Sequence, residues 1–127
     1  MKRRTSLALL AAGAPHGLGL SCPPAKPPDR RVRVPRDRLR AEGRIEAEYA
    51  GDPIELRETA GGPVGRSLLC THFGCRVQWE AEAGSYHCPC HDARFDREGR
   101  PVSGPALRPL RSLRVEIEGA DVLVGDP

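Results

Sequence analysis

Short runs of alternating apolar and polar residues follow one another from residue 45 to the end of the chain. Because successive side chains of a strand point to opposite faces, this period of two predicts β-strands. Seven runs have it: 45–49, 54–57, 65–69, 76–79, 85–88, 113–117 and 122–124. Turns rich in glycine, proline and aspartate separate the runs, and no ten-residue window in this part has a helical period. The pattern predicts an all-β domain, a small antiparallel sandwich or barrel.

The N-terminus has a different pattern. Three basic residues precede an apolar run over residues 7–14, an order typical of an export signal, which we expect over residues 1–22. The paired arginines Arg3 and Arg4 resemble the start of a twin-arginine signal; a disordered N-terminus is the other interpretation. The apolar window is shorter than a bilayer core and is interrupted by Pro15, so we expect no transmembrane helix.

Cys22 follows residues that loosely resemble a lipoprotein cleavage box. A lipid on Cys22 would tether the mature chain to a membrane surface, or Cys22 leaves with the leader. Residues 23–44 are rich in proline and basic side chains, which predicts a linker before a domain at 45–127. Its first part, residues 23–35, has five prolines and predicts an extended spacer that neither pairs in a sheet nor propagates a helix. Residues 26–44 hold eight basic and three acidic side chains, a strip that suits anionic lipid head groups.

Charge and size narrow the function classes. The net charge of the chain is +3, but residues 45–127 hold nine basic and fourteen acidic side chains, a balance of −5. The chain has only five aromatic residues, and none interleaves with the basic run, so the composition gives no support to nucleic-acid binding. A domain this small buries only a limited apolar core, so we expect a disulfide or a bound metal to add to its stability.

Cysteine and histidine concentrate between residues 70 and 91. This stretch holds a C-x-H box and a C-x-x-H box, fifteen residues apart, and each box has a spare cysteine. The box residues are Cys70, His72, Cys88 and His91, and the spare cysteines are Cys75 and Cys90. Thiolate and imidazole side chains at this density indicate a metal site. Zinc sites usually pair like ligands within a box, whereas each box here mixes both; a zinc-stabilised binding module is the non-redox alternative.

Both boxes resemble those of the Rieske [2Fe–2S] family, C-T-H-x-G-C and C-P-C-H, and the similarity continues at Phe95-Asp96, Gly99 and 104–106. The resemblance implies a cluster-binding subdomain of two loops. In it Cys70 and Cys88 would bind one iron of a [2Fe–2S] cluster, and His72 and His91 the other. The resemblance also implies a disulfide between Cys75 and Cys90, as in the cytochrome bc type of the family, and such a bond needs an oxidising compartment.

The resemblance extends to residues around the cluster. In high-potential members a serine and a tyrosine hydroxyl donate hydrogen bonds to it; Ala93 and Phe95 occupy those positions and lack the hydroxyls. We therefore expect a reduction potential in the middle of the Rieske range. Asp92 replaces a usual glycine, and its charge beside His91 would lower the potential further, unless its side chain only faces solvent.

Residues 103–107 resemble the proline-containing loop that covers the cluster. Gly104 and Pro105 would keep that loop stiff, and Leu107 would offer an apolar contact to a partner; without the resemblance, the segment is a Gly-Pro turn. We expect Trp79 and Tyr86 to pack in the core. We expect His87 to be structural rather than a ligand.

The implied function is electron transfer, as the iron–sulfur component of a quinol-oxidising or related respiratory chain rather than as a stand-alone enzyme. The donor would be a quinol at a cytochrome b-type protein and the acceptor a c-type cytochrome, with the protein soluble or lipid-tethered on the periplasmic side of a bacterial inner membrane. The alternatives are the small subunit of an arsenite-oxidase-like periplasmic enzyme and a soluble Rieske ferredoxin. Such ferredoxins lack the spare cysteine pair, so Cys75 and Cys90 argue against that alternative.

Overall fold

Three antiparallel sheets and one short helix make up the part of the chain that the structure, a computed structural model, describes: residues 29–127 with Gly13, Gly19, Pro24 and Ala25. The elements are β1 (Val32–Pro35), α1 (Arg36–Glu42), β2 (Arg44–Tyr49), β3 (Asp52–Thr59), β4 (Gly62–Ser67), β5 (Gln78–Glu80), β6 (Ser85–Cys88), β7 (Ala93–Phe95), β8 (Pro101–Ser103), β9 (Ser112–Leu113), β10 (Val115–Glu118) and β11 (Asp121–Val124). The predicted all-β class is confirmed. The export signal and the possible lipid on Cys22 concern residues outside those described, and they stay predictions.

The sheets have the strand orders β1-β11-β10, β2-β3-β4-β9 and β5-β6-β7-β8. The first two share one apolar core, formed by Val34, Leu39, Ile45, Ile54, Leu56, Val122 and Val124. We call these two sheets the base. The third, which we call the small sheet, has its own core: Leu68, Cys70, Val77, Tyr86, Cys88, Ala93, Phe95, Ala106 and Leu110. Tyr86 is fully buried and its ring lies 5.0 Å from that of Trp79, so the expected core packing of both aromatic residues is confirmed.

The expected linker over residues 23–44 is wrong from residue 32 onward. Val32–Pro35 pairs with Asp121–Val124, and the helix that follows buries Leu39 completely. Pro35 lies on an edge strand of its sheet, where its missing N–H is tolerated. The gain from burying Val34 and Leu39 thus overrides the extended preference of this proline- and arginine-rich segment.

The predicted strand over 113–117 is divided between two sheets. Leu113 pairs with Gly65 in one sheet of the base, while Val115 pairs with Val124 in the other. A side chain at Gly65 would come within 3.2 Å of both Val115 and Val124, so glycine there lets the two sheets approach. Within residues 29–127, no helix has the length and apolar character needed to cross a membrane.

Candidate metal centre

The first box lies in a tight loop that leaves the small-sheet core and returns to it. Val77 donates its N–H to the carbonyl of Leu68 at 2.8 Å, which closes the base of the loop. Within the loop, the Cys70 N–H donates to the Cys75 carbonyl at 2.7 Å and the Gly74 N–H donates to the Cys70 carbonyl at 2.8 Å. Gly74 has φ +73°, a left-handed conformation that glycine adopts without steric cost. The turn therefore explains the glycine of the first box.

The second box lies in the hairpin between β6 and β7. Cys88 and Ala93 are register partners across these strands, so the intervening four residues form a short turn. Asp92 closes this turn with φ +59°, a left-handed conformation that aspartate adopts more readily than most non-glycine residues. Glycine, the residue that the resemblance implies at this position, adopts such a left-handed backbone without steric cost.

A disulfide joins the two loops. Cys75 and Cys90 are bonded, with their Cα atoms 6.5 Å apart, and this pairing confirms the expected bridge. Cys70 and Cys88 are free thiols, and both are buried. The Sγ atoms of Cys75, Cys88 and Cys90 lie within 4.8 Å of one another, but the bonded pair has no thiolate to offer a metal. The candidate thiolate ligands are therefore Cys70 and Cys88.

The four candidate ligands differ in how far they are buried. The two thiols are 4% and 1% exposed, His72 is half-buried and His91 is exposed. The two imidazole rings lie 4.9 Å apart, centre to centre, and perpendicular to each other. The thiols thus lie in the core, and the imidazoles lie nearer to solvent.

Two observations show that this donor set fits a metal cluster. The Nδ1 atom of His72 is buried and has no hydrogen-bond partner among residues 29–127, an arrangement that costs about 1–3 kcal/mol unless a ligand satisfies it. Burial raises the pKa of the Cys70 thiol, and the neighbouring Cys88 thiol adds to that shift. A pair of thiolates here requires a compensating cation, and the iron of a cluster supplies one.

Asp92 contacts His87 rather than His91. Its Oδ1 lies 2.7 Å from His87 Nε2, while the Oε1 atom of Glu80 lies 3.3 Å from His87 Nδ1. His87 is therefore held by carboxylates on both ring nitrogens, in keeping with the structural role expected for it. The Asp92 side chain is 79% exposed and its Oδ1 also lies 3.9 Å from Arg94 Nη2. Its effect on His91 and on the reduction potential stays a prediction.

A third loop, residues 104–110, packs against both boxes. Thr71 donates from Oγ1 to the Arg108 carbonyl at 2.7 Å, which ties this loop to the first one. Gly104 lies so close to the second loop that a Cβ there would be 2.6 Å from the Asp92 carbonyl oxygen. The loop expected around Gly104 and Pro105 thus makes direct backbone contact with the hairpin that carries His91.

Two large apolar side chains are exposed on the first and third loops. Leu107 is 89% exposed and Phe73 is 71% exposed, and the Phe73 ring lies 5.1 Å from that of His91. Sequence reasoning singled out Leu107 but missed Phe73 and Thr71. The sequence did contain a signal for Phe73. It lies in a six-residue loop that presents His72 to solvent, and a side chain in so short a loop cannot reach the core. Ala93 and Phe95 are fully buried in the small-sheet core, beside the two free thiols.

Comparison with known proteins agrees with this geometry. The model of the Rieske [2Fe-2S] domain family matches residues 32–114, which include the strand and helix that sequence reasoning assigned to a linker. The cytochrome b6-f complex iron-sulfur subunit of Prochlorococcus marinus (strain AS9601) is 42% identical over 77 residues, 58% of this chain and 43% of that protein. The carotenoid phi-ring synthase of Chlorobaculum tepidum is 43% identical over 76 residues, 60% of this chain and 12% of that protein. The chain thus spans less than half the length of these curated relatives.

Among solved structures, the cyanobacterial plasma membrane Rieske protein PetC3 from Synechocystis PCC 6803 is similar with a TM-score of 0.64 and 31% identity, covering 75% of this chain and 99% of that one. The ferredoxin of carbazole 1,9a-dioxygenase from Nocardioides aromaticivorans IC177 is similar with a TM-score of 0.55 and 27% identity, covering 78% of this chain and 100% of that one. Fold, donor set and family match agree, and the chain belongs to the Rieske [2Fe-2S] domain family, whose domain binds a [2Fe–2S] cluster and transfers electrons.

Proposed function

We propose that this protein carries one [2Fe–2S] cluster and moves single electrons from a quinol to a c-type cytochrome. Cys70 and Cys88 would hold one iron, and His72 and His91 the other. The observation that carries this proposal is the burial gradient across the four side chains, together with the unpartnered Nδ1 of His72. When bound, the cluster accepts and returns one electron, at a potential raised by its two neutral imidazole ligands.

The residues around the candidate ligands suit contact with a membrane partner. His91 is exposed, so its ring can exchange a proton with solvent or accept a hydrogen bond from a quinol hydroxyl. Phe73 borders His91 with apolar surface, and Leu107 exposes a second apolar side chain on the third loop; both suit an apolar ring or the face of a cytochrome subunit. The relative from Prochlorococcus marinus is named as a subunit of a cytochrome b6-f complex, and this supports a quinol donor and a cytochrome acceptor.

The Cys75–Cys90 disulfide supports an oxidising location, on the periplasmic side of a bacterial membrane. It also favours a quinol-oxidising chain over a soluble ferredoxin of the oxygenase type, which lacks the spare cysteines. The lipid tether at Cys22 belongs to this proposal, because it would keep the exposed histidine near its membrane partner.

The ligand assignment is tested by replacing both histidines with cysteine. The unaltered protein should contain iron and acid-labile sulfide in equal amounts and titrate within the Rieske range, about −150 to +300 mV. His72→Cys with His91→Cys should move the potential toward about −400 mV, the value typical of all-cysteine plant-type clusters. His87→Gln is the matched control and should leave the potential in the Rieske range. Absence of labile sulfide, or an unchanged potential in the double variant, would contradict the assignment.

The partner assignment has a separate test. Phe73→Ser combined with Leu107→Ser should slow electron transfer from a short-chain quinol and to a soluble c-type cytochrome in stopped-flow mixing, while leaving the potential unchanged. Ile117→Ser is the control, because Ile117 is an exposed apolar residue on β10 of the base and belongs to none of the three loops. Equal rates in the unaltered protein, the double variant and the control would contradict docking of the redox partners at Phe73 and Leu107.

A further inference from the structure

The third loop, residues 104–110, exposes two adjacent side chains, one apolar and one cationic. Leu107 is 89% exposed, and Arg108, which follows it, is exposed as well. Pro105 and Pro109 flank this pair and are also exposed. Leu107 belongs to the docking surface of the proposed function, but Arg108 has no role there.

Contacts on both sides of this pair hold the loop in place. Ala106 and Leu110 are 4% and 2% exposed and pack in the small-sheet core. The Arg108 carbonyl accepts from Thr71 Oγ1 at 2.7 Å. The Leu110 N–H donates to the Gly99 carbonyl at 2.8 Å. Because the loop is already ordered by these contacts, a partner that binds Leu107 and Arg108 meets little entropic cost from ordering the backbone.

Arg108 differs from most arginines of the domain in having no carboxylate partner. Arg76, at the end of the first loop, forms an ion pair with Glu46, as is usual for arginines of this chain. Arg108 and Arg111 contribute carbonyl oxygens to hydrogen bonds, but within residues 29–127 neither guanidinium forms an ion pair. Both side chains are exposed, so their charges are available to a partner.

The charges of the other two loops do not cancel these arginines. Residues 69–76 and 104–111 hold three arginines and no acidic side chain. Asp92 is the acidic residue of the second loop, and its Oδ1 already lies 2.7 Å from His87 Nε2 and 3.9 Å from Arg94 Nη2. The loops around the candidate ligands therefore have an excess of positive charge, although residues 45–127 as a whole have a balance of −5.

We propose that the third loop docks on an acidic patch of the redox partner, with Leu107 in an apolar contact and Arg108 on a carboxylate. This docking mode depends on the proposed function, because it specifies the surface that the acceptor cytochrome presents. A guanidinium binds a carboxylate through two parallel hydrogen bonds, and an apolar neighbour that excludes water strengthens them. A partner with a basic face would instead be repelled by Arg108 and Arg111.

An anionic lipid surface would also attract arginine, but the position of the loop favours a protein. The third loop contacts both loops that carry candidate ligands. It meets the first through Thr71, and it meets the second where Gly104 approaches the Asp92 carbonyl. Electrons that leave through His72 or His91 must cross to a redox partner at this same face, so the charge of Arg108 lies where that partner approaches.

The test is isothermal titration of the cluster-loaded full chain with soluble c-type cytochromes, one with an acidic and one with a basic surface around its haem edge. All proteins are kept oxidised, so binding is measured without electron transfer. We expect at least about tenfold tighter binding of the acidic cytochrome at about 0.01 M ionic strength, where the Debye length is about 30 Å. Binding without electron transfer in stopped-flow mixing would support this docking mode and contradict the proposed function.

Matched variants separate the position of the charge from the net charge. Arg108→Gln should weaken binding of the acidic cytochrome at least about threefold at low ionic strength, and Arg108→Lys should restore part of that loss. Arg97→Gln removes the same charge from an exposed arginine in the turn after β7, at the end of that strand away from the candidate ligands, and should have little effect.

Three results would overturn the proposal. One is an equal loss of affinity in Arg108→Gln and Arg97→Gln, since net charge alone would then explain the binding. Another is tighter binding of the basic cytochrome by the unaltered chain. The third is a loss in Arg108→Gln of binding to phosphatidylglycerol vesicles with no loss toward the acidic cytochrome, which would assign Arg108 to a lipid surface.

Discussion

Gly104→Ala provides a quantitative test of how the third loop supports the candidate metal centre. Gly104 has φ +82°, and alanine in this left-handed region costs about 1–2 kcal/mol. The new Cβ would also lie 2.6 Å from the Asp92 carbonyl oxygen and 2.7 Å from the Ala93 Cα. These are backbone atoms of a hairpin and cannot rotate away. Relieving the overlap therefore costs about 1–3 kcal/mol more. We expect a total loss of about 2–5 kcal/mol.

Gly119→Ala is the matched control for the backbone contribution alone. Gly119 has φ +60°, but a Cβ there would meet nothing within 4 Å, so the expected loss is about 1–2 kcal/mol. In a domain of this size, 1 kcal/mol lowers the melting temperature by about 4–8 °C. Gly104→Ala should therefore melt at least about 4 °C below Gly119→Ala.

Far-UV circular dichroism at one scan rate measures the melting temperature, and the decay of visible absorbance measures loss of the cluster. Because Asp92 directly follows His91, a displaced hairpin should also release the cluster faster in Gly104→Ala than in Gly119→Ala. If both variants melted together and lost the cluster at the same rate, the close packing of the third loop against the hairpin would be refuted.

Three further predictions address the N-terminal segment, the acid range and the cluster environment. Leu39→Ala should cost about 2–5 kcal/mol, because Leu39 is fully buried, and its melting temperature should fall well below that of the exposed control Arg40→Ala. The hydrogen bond from Arg44 lowers the pKa of Glu46, with Arg76 contributing, so the ionised carboxylate stabilises the fold above its ordinary pKa of 4.5. That stability is lost as the pH falls through the lowered pKa, and Glu46→Gln should show a smaller drop in melting temperature below about pH 4.5. Phe95→Tyr should raise the reduction potential by about 65–130 mV if its hydroxyl donates a charged hydrogen bond to the cluster, and Phe95→Leu should not.

Each of these has a result that would contradict it. An unchanged melting temperature in Leu39→Ala would restore the linker interpretation of residues 32–44. An identical acid profile in Glu46→Gln would show that its ion pairs contribute nothing to folding. A redox titration that gives the same potential for Phe95→Tyr and the unaltered chain would remove Phe95 from the environment of the cluster.

Strand alternation in the sequence located most of the β-structure. The predicted strand over 85–88 has the bounds of β6, and the runs over 45–49 and 54–57 lie inside β2 and β3. These strands form hairpins with neighbours close in sequence, so local pattern and turn residues suffice to identify them. β7 and β8 were not predicted, since each is only three residues long and carries too little alternation.

The N-terminal strand could not be found from its own residues. Val32 pairs with Val124, about three-quarters of the chain away. A proline- and arginine-rich segment has no local pattern that predicts pairing with so distant a strand. Similarly, the alternation over 113–117 predicts one strand, but its first residue pairs in one sheet and the residues from Val115 onward pair in another. Pairings between distant segments depend on the assembled core rather than on local propensity.

For the candidate metal centre, the sequence alone predicted the kinds of donor atom and their spacing. A cluster needs particular sulfur and nitrogen ligands, and cysteine and histidine provide them. Folding settled how those donors face: which thiols are buried, which cysteines bond to each other, and that Asp92 turns to His87. It also brought the third loop, with Arg108, against the two loops that carry the candidate ligands. Side-chain chemistry is a property of single residues, whereas burial and contact arise only when distant segments meet.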